Sequence, residues 1–430
     1  MSYFVKKSTM FASEGQVASS VVIKEFLDVN YYMNADFTFG RNNRMRLNHV
    51  DLVDSSFSLQ KDMTMTVDNG RISAIAKEIL SVPADEEEYD LSGLILIPGF
   101  IDLHVHGAMG ADTSDGSLES LSKISSYLAS KGVTSFCPTT MMIPKEDVKR
   151  VLLSADHFKR EETGSRVIGV RLEGPFLSKE KCGVQNTDYA EDPSSDYIRE
   201  VLEGFPEDLI SIIDIAPELP GSGKFISEMK EKYVLSCAHT ASSYQVCREA
   251  IKAGLHHATH LFNAMNPLGH HEPGAPGALL EDPVVTCELI CDGMHVHPAL
   301  LKIVFSVLGE DRAVVVSDAM RAAGMPDGDY DLGGKTVHVA NGRTDFGDGR
   351  LAGSTTDIHS EFLNLLKLGI PMRTALKACT VNPAKVMHIE EDTGTLEVGK
   401  HADMVALDKN NNVRKVWVKG KLVYSPEEET

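Results

Sequence analysis

The middle of the chain alternates between short apolar, β-branched runs and segments with a helical period. Leu118, Leu121 and Leu128 lie on one face of such a helix, and a second helical stretch from Tyr244 ends at Gly254, a residue type that commonly follows helix C-termini. Runs typical of buried strands occur at residues 95–104, 133–138, 167–172, 209–216, 234–238, 257–261, 284–291 and 313–317. Eight strands with crossover helices predict a (β/α)₈ barrel of the TIM type, with a doubly wound open sheet as the alternative.

The two ends of the chain carry a different pattern. Alternating segments at residues 63–67 and 71–75 flank Asp68-Asn69-Gly70, which contains an Asn-Gly hairpin signal. Similar segments occur at residues 403–407, 413–418 and 422–424. These patterns predict a small β-sandwich domain that both ends build and the barrel interrupts. The predicted parts are residues 1–96 (sandwich, with 1–20 loosely held), 97–390 (barrel, with a glycine-rich, β-like insertion at about 327–350) and 391–430 (sandwich).

The charge of the chain restricts its partners. Its 62 acidic and 42 basic residues give a formal net charge of −20, which disfavours binding to nucleic acid and to anionic membrane surfaces. An anionic substrate therefore needs a local binding device. The seven cysteines form no CxxC pair, the N-terminal residues are too polar for a signal peptide, and no apolar stretch approaches about 18 residues. We therefore expect a cytoplasmic protein with reduced thiols.

Polar side chains follow the predicted strands at their carboxyl ends, where the active sites of such barrels form. The first strand ends in His104 and His106, and this i, i+2 spacing lets both imidazoles face one ion. Later strands end in Glu173, His239, His260, Asp292, His295 and Asp318. Imidazoles and carboxylates that converge on one rim favour a metal centre.

This set of side chains suits metal-assisted hydrolysis. Glu173, His239 and His260 offer three metal ligands and leave a coordination position open for water, as in catalytic zinc sites. Asp318 can carry a proton from the water to a leaving amine. Alternative roles stay open for two of these residues: Asp318 as a plain ligand or helix N-cap, and Glu173 as a turn residue before Gly174-Pro175.

Longer motifs carry a family resemblance. The most specific are Leu-Glu-Gly-Pro-Phe at 172–176 and His-Leu-Phe-Asn-Ala-Met at 260–265. Further motifs are the segment 98–107, Ala238-His239-Thr240, Glu272-Pro273-Gly274, Asp292-Gly293-Met294-His295, Ser317-Asp318-Ala319-Met320 and Asn382-Pro383-Ala384. From about residue 45 to its end the chain resembles the N-acetylglucosamine-6-phosphate deacetylases of the amidohydrolase superfamily.

The resemblance implies roles for individual residues. It implies that Glu173, His239 and His260 hold the tightly bound metal, that Asp318 is the general acid and base, and that His295 contacts the sugar.

It also implies that the backbone N–H groups of Asn263 and Ala264 lie near the substrate phosphate, where exposed backbone donors suit an anion. Members that keep both histidines of the first strand can hold a second metal, so His104 and His106 favour a two-metal site that Glu173 bridges. One or two Zn²⁺ ions per subunit are expected, with Fe²⁺, Mn²⁺ and Co²⁺ as alternatives, and the family implies a homodimer.

Two positions depart from the usual residues of the family. Where a histidine helps polarise the acetyl carbonyl, this chain has Gln185, whose amide donates a hydrogen bond but carries no charge. Where an arginine reaches the phosphate, often that of the neighbouring subunit, this chain has His270-His271. His271 and Arg321 are therefore predicted to supply the missing contact, although a salt bridge is an equally good role for Arg321.

We expect a hydrolase that converts N-acetylglucosamine-6-phosphate to glucosamine-6-phosphate and acetate, with His295 or Gln185 stabilising the charged intermediate. The enzymatic alternatives are a deacetylase of galacto, manno or unphosphorylated N-acetyl sugars, and another amidohydrolase. Enzymes whose metals are bridged by a carbamylated lysine on the fourth strand are disfavoured, because residues 209–220 contain no lysine. A non-catalytic sugar-phosphate sensor is the remote alternative, since every candidate ligand is kept.

Overall fold

The computed structural model describes residues 44–78, 87–347 and 349–426. The prediction for residues 1–20 lies outside this part of the chain, and the domain limits given above stay predictions. The described part of the chain begins with β1 (Arg44–Val53), β2 (Leu59–Asp68), β3 (Arg71–Ala76), β4 (Glu87–Asp90) and β5 (Ile95–Pro98). Strand β1 pairs antiparallel with β2, and β2 with β3. Asn69 and Gly70 form the turn between β2 and β3 with positive φ angles of 51° and 76°, as the hairpin signal predicts.

A closed barrel of parallel strands follows directly. In the described chain its strands are β6 (Phe100–Val105), β9 (Val133–Thr140), β10 (Arg166–Val167), β11 (Val170–Leu172), β12 (Ile210–Ile215), β13 (Val234–Cys237), β14 (His257–Ala258), β15 (Thr286–Leu289) and β16 (Ala313–Val315). The strands β7 (Gly107–Ala108) and β8 (Ala111–Asp112) form a separate small hairpin directly after β6. The N–H of Asp318 donates to the carbonyl of His104 at 2.9 Å, and Val105 forms a parallel bridge with Ala319. These contacts close the ring and confirm the barrel over the open sheet.

The predicted first strand is in fact two strands in two sheets. Gly99 separates β5, which pairs with the β-rich unit, from β6, which begins the barrel. A Cβ at Gly99 would lie 2.2 Å from the side chain of Thr134, so only glycine fits there. The prediction of one strand over 95–104 was wrong because both halves are apolar and buried, and hydrophobic periodicity cannot assign them to different sheets.

Helices cover the outside of the barrel. Within the described residues they are α1 (Leu118–Ser130), α2 (Lys145–Phe158), α3 (Ser195–Val201), α4 (Ser222–Met229), α5 (Tyr244–Ala253), α6 (Gly274–Glu281), α7 (Pro298–Leu308), α8 (Ile358–Lys367), α9 (Met372–Cys379) and α10 (Val381–Val386). The side chains of Ser117, Ser243 and Asp357 cap α1, α5 and α8 by accepting a hydrogen bond from the first turn. Helix α1 buries the predicted face that includes Leu121 and Leu128. None of the helices described is long and apolar enough to cross a membrane.

Between the last barrel strand and α8 lies a three-stranded antiparallel sheet in the described residues. Its strands are β17 (Gly328–Leu332), β18 (Lys335–Ala340) and β19 (Arg343–Asp345). Leu332, Val337 and Val339 pack against Met141 and Met320 of the barrel rim. The sheet therefore lies beside the carboxyl ends of the barrel strands.

The C-terminal strands complete the β-rich unit, which confirms that both ends of the chain build it. They are β20 (Met404–Leu407), β21 (Val413–Val418) and β22 (Lys421–Tyr424), and β20 pairs antiparallel with β5. In the core of the resulting sheet, Trp417 of β21 belongs to the same cluster of buried side chains as Leu47 and Met65. A buried ion pair of 2.8 Å between Arg166 and Asp403 joins this unit to the barrel.

Candidate metal centre

The polar side chains predicted from the strand ends lie together at the carboxyl end of the barrel. His104 belongs to β6, and Glu173 directly follows β11. His239, His260 and Asp318 come two or three residues after β13, β14 and β16. Parallel strands bring these positions to one rim, so side chains far apart in sequence become neighbours.

The first group of potential metal ligands consists of Glu173, His239 and His260. Oε1 of Glu173 lies 3.1 Å from Nε2 of His239 and 3.1 Å from Nε2 of His260. The two Nε2 atoms are 3.2 Å apart. All three side chains are buried, so one small cation can contact all of them.

The second group consists of His104, His106 and Asp318. Nε2 of His106 lies 3.3 Å from Oδ1 of Asp318, and Nε2 of His104 lies 3.5 Å from the same oxygen. The other oxygen of Glu173, Oε2, is 3.3 Å from Nε2 of His106. Glu173 thus lies between the two groups, in the position that a bridging carboxylate would occupy.

The orientation of the imidazoles fits metal ions. Nδ1 of His239 lies 2.8 Å from the carbonyl of Lys181, and Nδ1 of His106 lies 3.3 Å from the carbonyl of Thr139. A carbonyl only accepts hydrogen bonds, so Nδ1 carries a proton in both rings, and Nε2 is the atom of each ring that faces the other ligand candidates and can offer a lone pair to a metal ion. Lone pairs and carboxylate oxygens that face one another within 3.5 Å repel unless a cation or proton lies between them. The donor set therefore fits divalent metal ions.

Without metal, the carboxylates of the site are ionised and protons occupy two of the imidazoles. Burial acts to lower the pKa of His106 and of His260, but Glu173 and Asp318 raise the pKa of His106 well above its usual value and that of His260 to about 9. Burial acts to raise the pKa of Glu173, but the adjacent His239 and His104 hold it well below its usual value. Asp318 is also buried, and His104 and His106 lower its pKa to about 2. Both carboxylates are therefore anionic at neutral pH. Burial, followed by the nearby positive charge of Arg171, lowers the pKa of His104, which favours the neutral ring that a metal requires.

A buried ionic network beneath the site was missed by sequence reasoning. The guanidinium of Arg171 donates to Glu288 at 2.5 Å and to both oxygens of Asp214 at 3.0 Å. Oε2 of Glu288 in turn lies 3.4 Å from Nδ1 of His104 and accepts from the backbone N–H of His260 at 3.3 Å. All three charged side chains are fully buried. The available signal was a charged residue in the middle of each of three apolar strands.

The backbone is strained at three residues of the site. His239, His260 and Asp318 have φ angles of 41°, 27° and 49°, in the left-handed region that residues with a Cβ rarely adopt. Such a conformation costs on the order of 1–3 kcal/mol and persists where the surrounding structure enforces it. Here the chain turns sharply as it leaves each strand, which aims the side chain across the barrel mouth.

A cavity of about 450 Å³ opens over the metal-ligand candidates. Gln185, His295, Asn263 and Ala264 line it, as the prediction for a substrate site requires. Nε2 of Gln185 donates to Glu173, and its Oε1 accepts from the N–H of Met142 at 2.7 Å, which fixes the amide orientation. Nδ1 of His295 lies 2.7 Å from Oδ2 of Asp292, so this ring is also held in place.

Two residues predicted to contact the substrate do not line this cavity. His271 is exposed and its ring lies 4.0 Å from that of His270. Arg321 pairs with Asp115 at 3.1 Å and donates to the carbonyl of Gly110, so the structure gives it the salt-bridge role that was the alternative. Sequence proximity to Asp318 did not reveal this because the small hairpin after β6 brings the acidic partner to Arg321.

Comparisons with known proteins agree with this geometry. The profile of the amidohydrolase family matches residues 95–423. The N-acetylglucosamine-6-phosphate deacetylase of Vibrio furnissii is 34% identical over 369 residues, which cover 85% of this chain and 92% of the relative. The N-acetylgalactosamine-6-phosphate deacetylase of Escherichia coli is 33% identical, covering 84% and 94%. The crystal structure of N-acetylglucosamine-6-phosphate deacetylase from Pasteurella multocida matches with a TM-score of 0.83 at 29% identity, covering 89% of this chain and 100% of that chain.

Proposed function

This chain belongs to the amidohydrolase family, and we propose that it hydrolyses the acetamide of N-acetylglucosamine-6-phosphate to give glucosamine-6-phosphate and acetate in amino-sugar catabolism. The observation that carries this proposal is the placement of Glu173 between two histidine groups at the floor of a cavity of about 450 Å³. A cavity of this size accommodates a small-molecule substrate, and the relatives that cover most of the chain are sugar-phosphate deacetylases.

The ligand candidates and Asp318 divide the chemistry between them. Glu173, His239 and His260 would hold one metal ion, and His104 and His106 would hold a second, with Glu173 shared. Metal ions held there supply Lewis-acid polarisation of the amide carbonyl and lower the pKa of water. Asp318 is anionic at neutral pH and lines the cavity, so it can accept a proton from the attacking water and deliver it to the leaving amine.

The remaining residues orient the substrate. Gln185 uses one N–H of its amide on Glu173, and the second N–H of the same nitrogen can donate to the acetyl carbonyl. His295, held by Asp292, can contact a sugar hydroxyl or the developing charge. The backbone N–H of Ala264 is suited to a phosphate oxygen, since this residue lines the cavity and has a left-handed φ of 52°. The backbone N–H of Asn263 already donates to the carbonyl of His260 at 2.9 Å, so this residue can contribute only its side chain.

Acetate release by the metal-loaded protein tests the proposal. We expect faster release from N-acetylglucosamine-6-phosphate than from N-acetylglucosamine, N-acetylgalactosamine-6-phosphate or N-acetylmannosamine-6-phosphate. Faster release from the galacto sugar would shift the assignment to the activity named for the Escherichia coli relative. No acetate from any of the four sugars, with metal bound, would reject the proposal.

Zinc and a cytoplasmic location are also part of the proposal. Three imidazole and carboxylate ligands per metal suit Zn²⁺, with Fe²⁺, Mn²⁺ and Co²⁺ as competitors, and metal analysis after purification without added metal tests this. The seven cysteines are free thiols, and the six that are buried are typical of a reducing compartment.

A homodimer is the proposed assembly. Helix α7 exposes Ile303 and Val307, four residues apart on one face, and Val284 is also exposed. Exposed apolar side chains that lie together are typical of subunit interfaces. Light scattering of the purified protein should give twice the mass of one chain, and the mass of one chain would reject the dimer.

A further inference from the structure

The 6-phosphate presents a charge problem in this chain. It carries close to two negative charges at neutral pH, whereas the protein has a net charge of −20. His271 lies outside the cavity, and Arg321 is held by Asp115. Within one chain, a cation that balances the phosphate therefore has to come from other residues of the cavity.

Among the described residues that line the cavity, one is a lysine, Lys181, and one is an arginine, Arg350. Lys181 belongs to the loop after β11, and Arg350 follows β19 of the three-stranded sheet. The two cations come from separate segments and meet at the same cavity. Apart from the proposed metal ligands and Asp318, Glu180 is the acidic side chain that the described chain adds to the lining, and its Oε1 lies 3.8 Å from Nζ of Lys181. At this distance the contact is a weak ion pair, which a phosphate can replace.

Contacts hold the backbone at Lys181 and the side chain of Arg350. The backbone carbonyl of Lys181 lies 2.8 Å from Nδ1 of His239, so the loop that carries this lysine is tied to a metal-ligand candidate. The guanidinium carbon of Arg350 lies 4.7 Å from the ring centre of Phe346, which also lines the cavity. Stacking on an aromatic face orients the planar fork of an arginine, which suits bidentate contact with phosphate oxygens.

We propose that Lys181 and Arg350 form the phosphate-binding subsite of this enzyme and make it specific for the 6-phosphorylated sugar from within one chain. This inference rests on the proposed deacetylase function. Lys181 is half-buried and Arg350 is exposed. A charge-assisted hydrogen bond to phosphate contributes more than a neutral one, so each cation should favour the phosphorylated substrate over the unphosphorylated sugar.

The test compares Lys181→Met and Arg350→Met with the wild type on N-acetylglucosamine-6-phosphate and on N-acetylglucosamine. Lys181→Met keeps the backbone carbonyl that contacts His239. We expect each variant to raise KM for the phosphorylated sugar by about 10–100-fold with little change in kcat, and to leave kcat/KM for the unphosphorylated sugar unchanged. Lys179→Met is the matched control, because Lys179 is exposed on the same loop and does not line the cavity.

The outcomes separate this inference from the proposed function. A wild type that prefers the phosphorylated sugar, with variants that keep the same preference, would overturn the subsite and leave the function intact. An equal loss on both sugars would also overturn it, because the residues would then act on the site as a whole. If the wild type deacetylates neither sugar, the binding affinities for glucosamine-6-phosphate and for glucosamine are measured by calorimetry. Variants that lose the preference for the phosphorylated sugar would uphold the subsite, and variants that keep this preference would reject it.

Discussion

Glu288 offers a sharp test of how the barrel interior controls the metal centre. Its carboxylate is fully buried and contacts the guanidinium of Arg171 at 2.5 Å, Nε2 of His257 at 2.9 Å and Nδ1 of His104 at 3.4 Å. A carboxylate behind a ligating histidine fixes the ring and increases its basicity, and loss of such a partner typically lowers metal affinity 10–100-fold. Glu288→Gln keeps the shape but removes the charge.

The expected loss at the position that His104 and His106 form with the shared Glu173 is therefore about 1.4–2.8 kcal/mol of metal-binding free energy. The position formed by Glu173, His239 and His260 should change less, because Glu288 reaches it only through the backbone N–H of His260 at 3.3 Å. The variant should also lower the free energy of unfolding by about 3 kcal/mol, the lower end for a broken buried ion pair, since Arg171 keeps Asp214.

The assay is a competition titration of the metal-free protein with zinc and a chromophoric chelator, together with metal analysis after dialysis. The wild type should bind zinc in two steps. In Glu288→Gln, the zinc affinity of the step at Glu173, His239 and His260 should change little, and the zinc affinity of the other step should be weaker. Asp214→Asn is the matched control: Asp214 also pairs with Arg171 but touches none of the ligand candidates. It should lower stability and leave both zinc affinities in place. Equal affinities in Glu288→Gln and the wild type would refute the reasoning.

Three further predictions follow from the site and the core. Asp318→Asn should lower kcat by about 10²–10⁴-fold in steady-state assays, while the metal held by Glu173, His239 and His260 stays bound. Near-normal turnover of this variant would remove Asp318 from the mechanism. His260→Ala should lose that metal on dialysis, and a full metal complement measured by mass spectrometry would contradict its role as a ligand. Trp417→Ala should lower the free energy of unfolding by about 3–5 kcal/mol in denaturant titrations, because the indole is fully buried in the core of the β-rich unit; a change below about 1 kcal/mol would contradict this.

The positions of the ligand candidates could be predicted from the sequence because they depend on local rules. His104 and His106 are two residues apart on a strand, and Glu173 ends an apolar run. Parallel strands in a closed barrel place all such ends on one rim, so eight recognised strands were sufficient to bring these side chains together.

The remaining features depend on contacts between distant segments. Arg171 and Glu288 are visible as charges within apolar strands, but their pairing follows from the register of strands that are not neighbours in sequence. Arg350 reaches the cavity only because the three-stranded sheet packs on the barrel rim. Hydrophobic periodicity carries no information on either arrangement.

The single glycine between β5 and β6 has a consequence for the folding of the chain during its synthesis. Strand β6 and the ligand candidate His104 leave the ribosome early, but β5, one residue before β6, keeps an open edge until β20 is synthesised near the end of the chain. An unpaired, apolar edge is a site of misassembly during synthesis. The ligand candidates of β6 should therefore reach their final positions only when the last strands have emerged.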